Sequence, residues 1–207
     1  VAGSFTGAVA GVSSDCTVSA VGGTDTESDA SLLARLLEII RRPPAGGNKY
    51  DYKNWALNVD GVTSAYVYPL RRGLGTVDIA VTSAGGVPSD DIVRAVQTYI
   101  DEMRPVTAKE SLVLKPSTTS VAVTAAVKLD GTDLAAATRA INAALAEYFG
   151  NLIPGDALVA SQIEAVISNV PGVVDRRLTA PAASRAADVA GKIEWFRLGG
   201  VSITVAV

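Results

Sequence analysis

The sequence has no histidine, a single cysteine and few aromatic residues, and each shortage removes a class of function. Without histidine there is no imidazole general base, no Ser-His triad and none of the commonest zinc ligand. Cys16 alone cannot form an intrachain disulfide or a Cys-x-x-Cys metal site. It reads as a small buried hydrophobe in a reducing compartment. Lys and Arg number 18 against 21 Asp and Glu, a net charge of -3, so the basic face that grips nucleic acid is missing. No apolar run reaches the ~18–20 residues of a membrane helix, and the small apolar stretch 1–10 lacks the basic region of a signal peptide. No P-loop is present. Gly73-Leu74-Gly75 lies between expected strands rather than before a helix, which excludes a dinucleotide fingerprint. No catalytic residue, metal, cofactor or small-molecule substrate is expected.

What the 207 residues do contain is 48% apolar residues, a mean hydropathy of +0.30 and only 19% charged residues. Much of the apolar content is Ala and Val. A surplus of this kind has to be buried inside the protein or against other subunits. Residues 1–22 read as weak strands and loops, the remnant of an upstream β-rich domain. Leu32, Leu33, Leu36, Leu37 and Ile40 follow helical spacing, with Asp29 as N-cap and Pro43-Pro44 as the stop. A short helix is expected over 52–59, then a hairpin of strands 62–69 and 76–82 around Arg71-Arg72-Gly73-Leu74-Gly75. A helix starting at Pro88-Ser89-Asp90-Asp91 and a strand over 111–114 complete a first module, 23–115.

A second module, 116–207, opens with a long strand over 121–129. A helix capped by Thr132 follows, with Leu134, Ile141, Leu145 and Phe149 on its apolar face. Ser161 and Glu164 form an S-x-x-E capping box for the next helix. Strands over 173–178, 192–197 and 201–207 follow, with an Ala-rich loop over 179–191. The closing strand is apolar on both faces and is expected to be central in its sheet or covered by a partner. The expected class is α+β: two small modules of mainly antiparallel or mixed sheet with helices packed on one face. Asn58-Val59-Asp60-Gly61-Val62 recurs as Asn169-Val170-Pro171-Gly172-Val173, at a helix end in both cases. The echo reads either as a shared helix-stop solution or as the mark of two related modules.

Several clusters invite a functional interpretation. Asp25, Glu27 and Asp29 alternate as calcium ligands can, but later ligands are missing and a solvated turn fits better. Asp90-Asp91 complements a helix dipole more simply than it performs acid-base work. Arg71-Arg72 and Arg176-Arg177 read as solvated turns or intersubunit salt bridges. Tyr50, Tyr52 and Trp55 read either as a local core plug or as an aromatic anchor at a protein interface. The interface candidates are Tyr50, Tyr52, Trp55, Arg71, Arg72, Trp195 and Phe196.

The order of motifs resembles the baseplate J-like family of contractile phage tails. Gly22-Gly23-Thr24-Asp25-Thr26-Glu27-Ser28-Asp29 is similar to the family's G-G-x-D-x-E-S-D segment. Pro44-Ala45-Gly46-Gly47-Asn48, Asp51-Tyr52, Trp55-Ala56, Gly61-Val62, Gly75-Thr76-Val77, Arg104-Pro105-Val106, Pro154-Gly155 and Gly172-Val173 follow in the family's order. The family usually carries a substantial region before the first of these segments, and only 21 residues precede it here. The sequence is therefore expected to be the C-terminal portion of a longer protein. The resemblance implies a non-enzymatic wedge subunit of a baseplate in the virion tail, assembled in the host cytoplasm. It further implies a ring around the hub, with copies of itself and other wedge proteins as partners, and a part in triggering sheath contraction. The competing expectation is a small-ligand or regulatory binding module, which requires a concave pocket with converging polar groups.

Overall fold

The computed structural model describes residues 2–4, 15–17, 28–41, 43–84 and 86–206. The chain divides into two compact units, Val1–Pro43 and Pro44–Val207. In the first unit β1 (Ala2–Ser4) pairs antiparallel with β2 (Asp15–Thr17), and α1 spans Asp29–Arg41. The Leu32 amide donates to the Ser28 carbonyl, so Asp29 is the first residue of the helix and not its cap. The expected apolar residues are there, yet Leu32, Leu33, Leu36 and Ile40 are 49–66% exposed. The boundary groups α1 with the residues before it. The turn at residues 22–27, with Asp25 and Glu27, lies outside the described residues, as does the side chain of Cys16.

In the second unit α2 (Lys49–Leu57), β3 (Ser64–Pro69), β4 (Thr76–Thr82), α3 (Asp90–Met103) and β5 (Glu110–Leu114) build a sheet of order β3-β4-β5. β4 is antiparallel to β3 and parallel to β5. Next come β6 (Ser117–Leu129), α4 (Leu134–Asn151), α5 (Ala160–Ser168), β7 (Val173–Ala180) and β8 (Glu194–Val205), giving a second sheet of order β7-β6-β8. Here too the central strand has one antiparallel and one parallel neighbour. The class is α+β with mixed sheets, as the periodicities led one to expect.

The cores follow from those periodicities. Along β6 the buried residues Val121, Val123, Ala125 and Val127 alternate with more exposed ones. Ala137, Ile141, Leu145 and Phe149 recur every four residues along one face of α4, and Ile163 and Ile167 do so on α5. All of these but Ala137 close over β6 with Phe196. The first sheet has its own core of Tyr52, Ala56, Ala65, Ile79, Val81, Val96, Ile100 and Val113. Each fully buried Ile or Leu contributes about 1.5–3 kcal/mol, so these clusters outweigh any single polar contact below.

Local details depart from expectation in instructive ways. Asn48 caps α2 by accepting from the amides of Tyr50 and Asp51, which starts that helix at Lys49. Asp133, not Thr132, caps α4. The capping box expected at Ser161 and Glu164 is absent: α5 begins at Ala160 after Val159, which offers no side-chain cap. In its place the Ser184 hydroxyl accepts from the Ala160 amide. The last two expected strands are one continuous strand, β8, at an edge of its sheet and not at the centre. Its far half remains partly exposed, with Val205 at 53%. At the edge of the first sheet, Gln97 stands in for a missing strand. Its side-chain oxygen accepts from the Val113 amide and its nitrogen donates to the Ser111 carbonyl.

The sequence echo is a structural repeat of the helix stop. Asn58 and Asn169 end α2 and α5 with nearly equal dihedrals, φ -76° and ψ -8° against φ -77° and ψ -6°. Val62 donates to Val59 and Val173 donates to Val170, and both glycines stand at φ +88°. A side chain at Gly61 would sit 2.8 Å from Ile92 Cδ1, and one at Gly172 would collide with Thr132. Substituting Gly172→Ala should therefore cost roughly 1–3 kcal/mol in urea unfolding. Gly150→Ala, inside α4 with open space around it, should be neutral or stabilising by up to about 1 kcal/mol. Equal unfolding midpoints for the two variants would contradict this account of the turn.

Candidate functional site at the module junction

The loop that leads into α2 is organised by one carboxylate. Asp51 is 4% exposed and accepts from the amides of Gly47 at 2.7 Å, Asn48 at 3.1 Å and Ala45 at 3.1 Å. Burial pushes its carboxyl up, but the amides of Gly47, Asn48, Ala45 and Gly46 outweigh that and hold it below the usual value. This explains why Pro44-Ala45-Gly46-Gly47-Asn48 and Asp51 occur together: the loop supplies donors and the helix supplies the acceptor. Tyr52, the next residue, is fully buried, and its ring meets Trp55 edge-on at 5.0 Å. These two are the core plug of the first sheet.

A second buried carboxylate joins the two sheets. Asp78 lies on β4 with its side chain fully buried, a position that demands counter-charge. Arg71 Nη1 is 2.6 Å from one of its oxygens and Arg72 Nε is 2.7 Å from the other. Arg72 also reaches Glu110 at 2.8 Å, and together these acids raise its pKa. Arg71 donates onward from Nε to the carbonyl of Val189 at 2.6 Å and from Nη2 to that of Gly191 at 3.1 Å. Tyr68 donates to the carbonyl of Pro154 at 2.6 Å, and burial pushes its phenol up to about 12. The β3–β4 turn is thus tied to two separate loops of the second module.

Those loops are themselves held by a third buried acid. Glu194 is 1% exposed at the start of β8. It accepts from Thr119 Oγ1 at 2.6 Å, from the Asp188 amide at 3.0 Å and from Arg185 at 3.1 and 3.2 Å, while Lys192 approaches to 3.5 Å. The Thr119 hydroxyl, the Asp188 amide and Arg185 together overcome burial and hold its carboxyl at about 2. The Gly155 amide donates to the Glu194 carbonyl, so the same residue also anchors the turn that Tyr68 meets.

Between the modules lies an open cleft of about 340 Å³ lined by Lys49, Tyr50, Lys53, residues 65–68 of β3 and residues 153–156. Among the expected interface residues, only Tyr50 lines it. Tyr52 and Phe196 are buried in separate cores, and Trp195 is 7% exposed, with its indole nitrogen donating to Leu152. Arg71 and Arg72 bind Asp78 within the chain. The physical reason is the same throughout. Aromatic residues beside a glycine link are as useful to a core as to an interface, and an arginine pair in a turn cannot reveal its acid when that acid is a lone Asp inside an apolar strand. Among the described residues there is no group of three acids or cysteines able to hold a metal ion, and no helix is long and apolar enough to cross a membrane.

Arg71→Leu leaves Asp78 short of one cation and two carbonyls without a donor, and should lower stability by roughly 3 kcal/mol. Arg72→Leu, at a position 28% exposed against 11% for Arg71, should cost clearly less in the same urea titration. Equal losses would deny Arg71 its bridging role. Glu194 has a folded-state pKa below its unfolded one, so its contribution is complete above pH 4.5 and drains away as pH falls toward about 2. Glu194→Gln should lower stability at pH 7 and flatten its dependence over that acid range. An unchanged acid limb would refute the assignment.

Comparison with known proteins gives this geometry its setting. The baseplate J-like central domain matches residues 44–125, and the baseplate J-like protein C-terminal domain matches residues 121–204. The chain is 33% identical over 211 residues to the Mu-like prophage FluMu protein gp47 of Haemophilus influenzae, covering 93% of this chain and 59% of that protein. It is 34% identical over 195 residues to the baseplate protein gp47 of Escherichia phage Mu, covering 84% and 53%. The chain thus spans little more than half the length of these relatives. Its fold resembles a chain in the cryo-EM structure of the anti-feeding prophage baseplate, with a TM-score of 0.63 at 14% identity over 86% of this chain and 43% of that one. The expectation from the ordered motifs holds, and the chain belongs to the baseplate J-like family.

Proposed function

We propose that this chain is a non-enzymatic structural part of the tail baseplate of a contractile phage or phage-like injection machine. Within it, the chain is a portion of a wedge subunit that joins copies of itself and other baseplate proteins in a ring around the hub. The observation that carries the proposal is Arg71, which pairs with Asp78 in the first module and donates to the Val189 and Gly191 carbonyls of the second, both modules matching the family. A bridged pair of modules can pass a displacement from one end to the other, as relaying a trigger for sheath contraction requires. The exposed leucines of α1 and the partly exposed far half of β8 supply apolar surface of the kind that assembly covers.

The competing small-ligand module needs polar groups that converge on a pocket. In the cleft between the modules the polar groups are turned to other tasks. The Tyr68 hydroxyl is given to Pro154, and the Asp156 carboxylate accepts from the Ile153 amide. That leaves strand backbone, two lysines and the tyrosines Tyr50 and Tyr66, a lining that suits a protein partner better than a small molecule.

In a host producing the whole parent protein, removing residues 44–204 should abolish contraction-competent tails, as seen by electron microscopy. Parent protein carrying Arg71→Leu should assemble fewer tails, and a larger share of those should fail to contract on challenge. Normal tails from the deletion strain would overturn the proposal.

A further inference from the structure

We propose that the outer edge of β3 is a strand-addition site for an extended, acidic segment of a partner protein. β3 has β4 on one side and no strand on the other among the described residues. Four consecutive residues of it, 65–68, line the cleft. Side chains of a strand alternate between faces, so four in a row line one cleft only where that cleft runs along the strand's edge. The backbone groups of that edge are therefore presented along about 13 Å, room for a four-residue strand. The opposite edge of the same sheet is closed by Gln97, which satisfies the Val113 amide and the Ser111 carbonyl of β5. One edge is sealed by a side chain, and the other opens into a groove.

Charge selects the occupant. Lys49 and Lys53 stand on the α2 rim and are exposed. Neither has an ion pair among the described residues, and Lys49 Nζ instead lies 5.0 Å from the centre of the Tyr50 ring. The one acid in the lining, Asp156, accepts from the Ile153 amide and keeps its charge, so the two lysines leave the lining net positive. An incoming strand with Glu or Asp on alternate positions would meet two lysines without an acid and the apolar faces of tyrosines, while its main chain pairs with β3. The Tyr68 hydroxyl bonded to Pro154 closes one end of the groove and sets where the added strand stops.

The proposal names a partner chemistry for the assembly reading and can fail without it. A fluorescently labelled synthetic peptide of alternating Val and Glu is titrated into the full 207-residue chain by fluorescence anisotropy, with its Val-Lys counterpart and a form N-methylated at alternate residues as controls. The Val-Glu peptide should bind, and the other two should bind at least tenfold more weakly. The surface variant K49E/K53E, checked for an unchanged circular dichroism spectrum, should reverse the preference toward the Val-Lys peptide. Slowed amide exchange within residues 64–69 should accompany binding. No binding of the Val-Glu peptide, equal binding of the N-methylated form, or an unchanged preference in K49E/K53E would each overturn strand addition here. None of these outcomes bears on whether the parent protein assembles into tails.

Discussion

A carboxylate placed inside a sheet has to be neutralised by whatever can reach it, and Asp78 determines much of what surrounds it. Two arginines adjacent in sequence converge on its two oxygens, which shapes the turn between β3 and β4. A guanidinium has five donors in a rigid fork, so Arg71 still has hydrogen atoms to place after meeting Asp78. It places them on Val189 and Gly191, and the loop that offers those carbonyls is held by Glu194. Buried ion pairs of this kind add little net stability over an apolar replacement, but removing one partner is costly. Their effect here is on geometry: two separate apolar cores are held in one arrangement by charge that neither could leave unpaired.

Much of the architecture was legible before any coordinates. The four-residue spacing of Ile141, Leu145 and Phe149 and the alternation along β6 identify elements because burial follows the same period as the backbone. Ser161 and Glu164 misled because a capping box is only one way to satisfy a helix start, and Ser184, 24 residues away, supplies the acceptor instead. β8 was legible in part. Apolar residues on both faces fit a central strand or one covered by a partner, and its parallel neighbour β6 takes the centre and leaves β8 at the edge.

The junction was far less legible. Arg71 and Tyr68 stand within a few residues of one another, but their partners Val189, Gly191 and Pro154 act through main-chain carbonyls, which carry no sequence signature. Asp51 is the instructive contrast. Its donors lie three to six residues upstream in a glycine loop, so the motif and its cause share one short stretch of sequence. Local chemistry leaves a pattern that can be recognised, whereas chemistry across 75 to 120 residues leaves only isolated polar side chains.

The two sheets share a plan, a central strand with one parallel and one antiparallel neighbour, and the same asparagine-to-glycine helix stop. They differ in connectivity: the stop leads into an edge strand in both, but the central strand follows that edge in the first module and opens the second. Gln97 adds an asymmetry that concerns counting. A sheet with two open edges can be extended at both and so has no natural end, which is the geometry of a fibre. By occupying the Val113 amide and the Ser111 carbonyl of β5 with one side chain, Gln97 obstructs one of those edges. A sheet obstructed on one side can accept a strand on the other but cannot run on as a fibre.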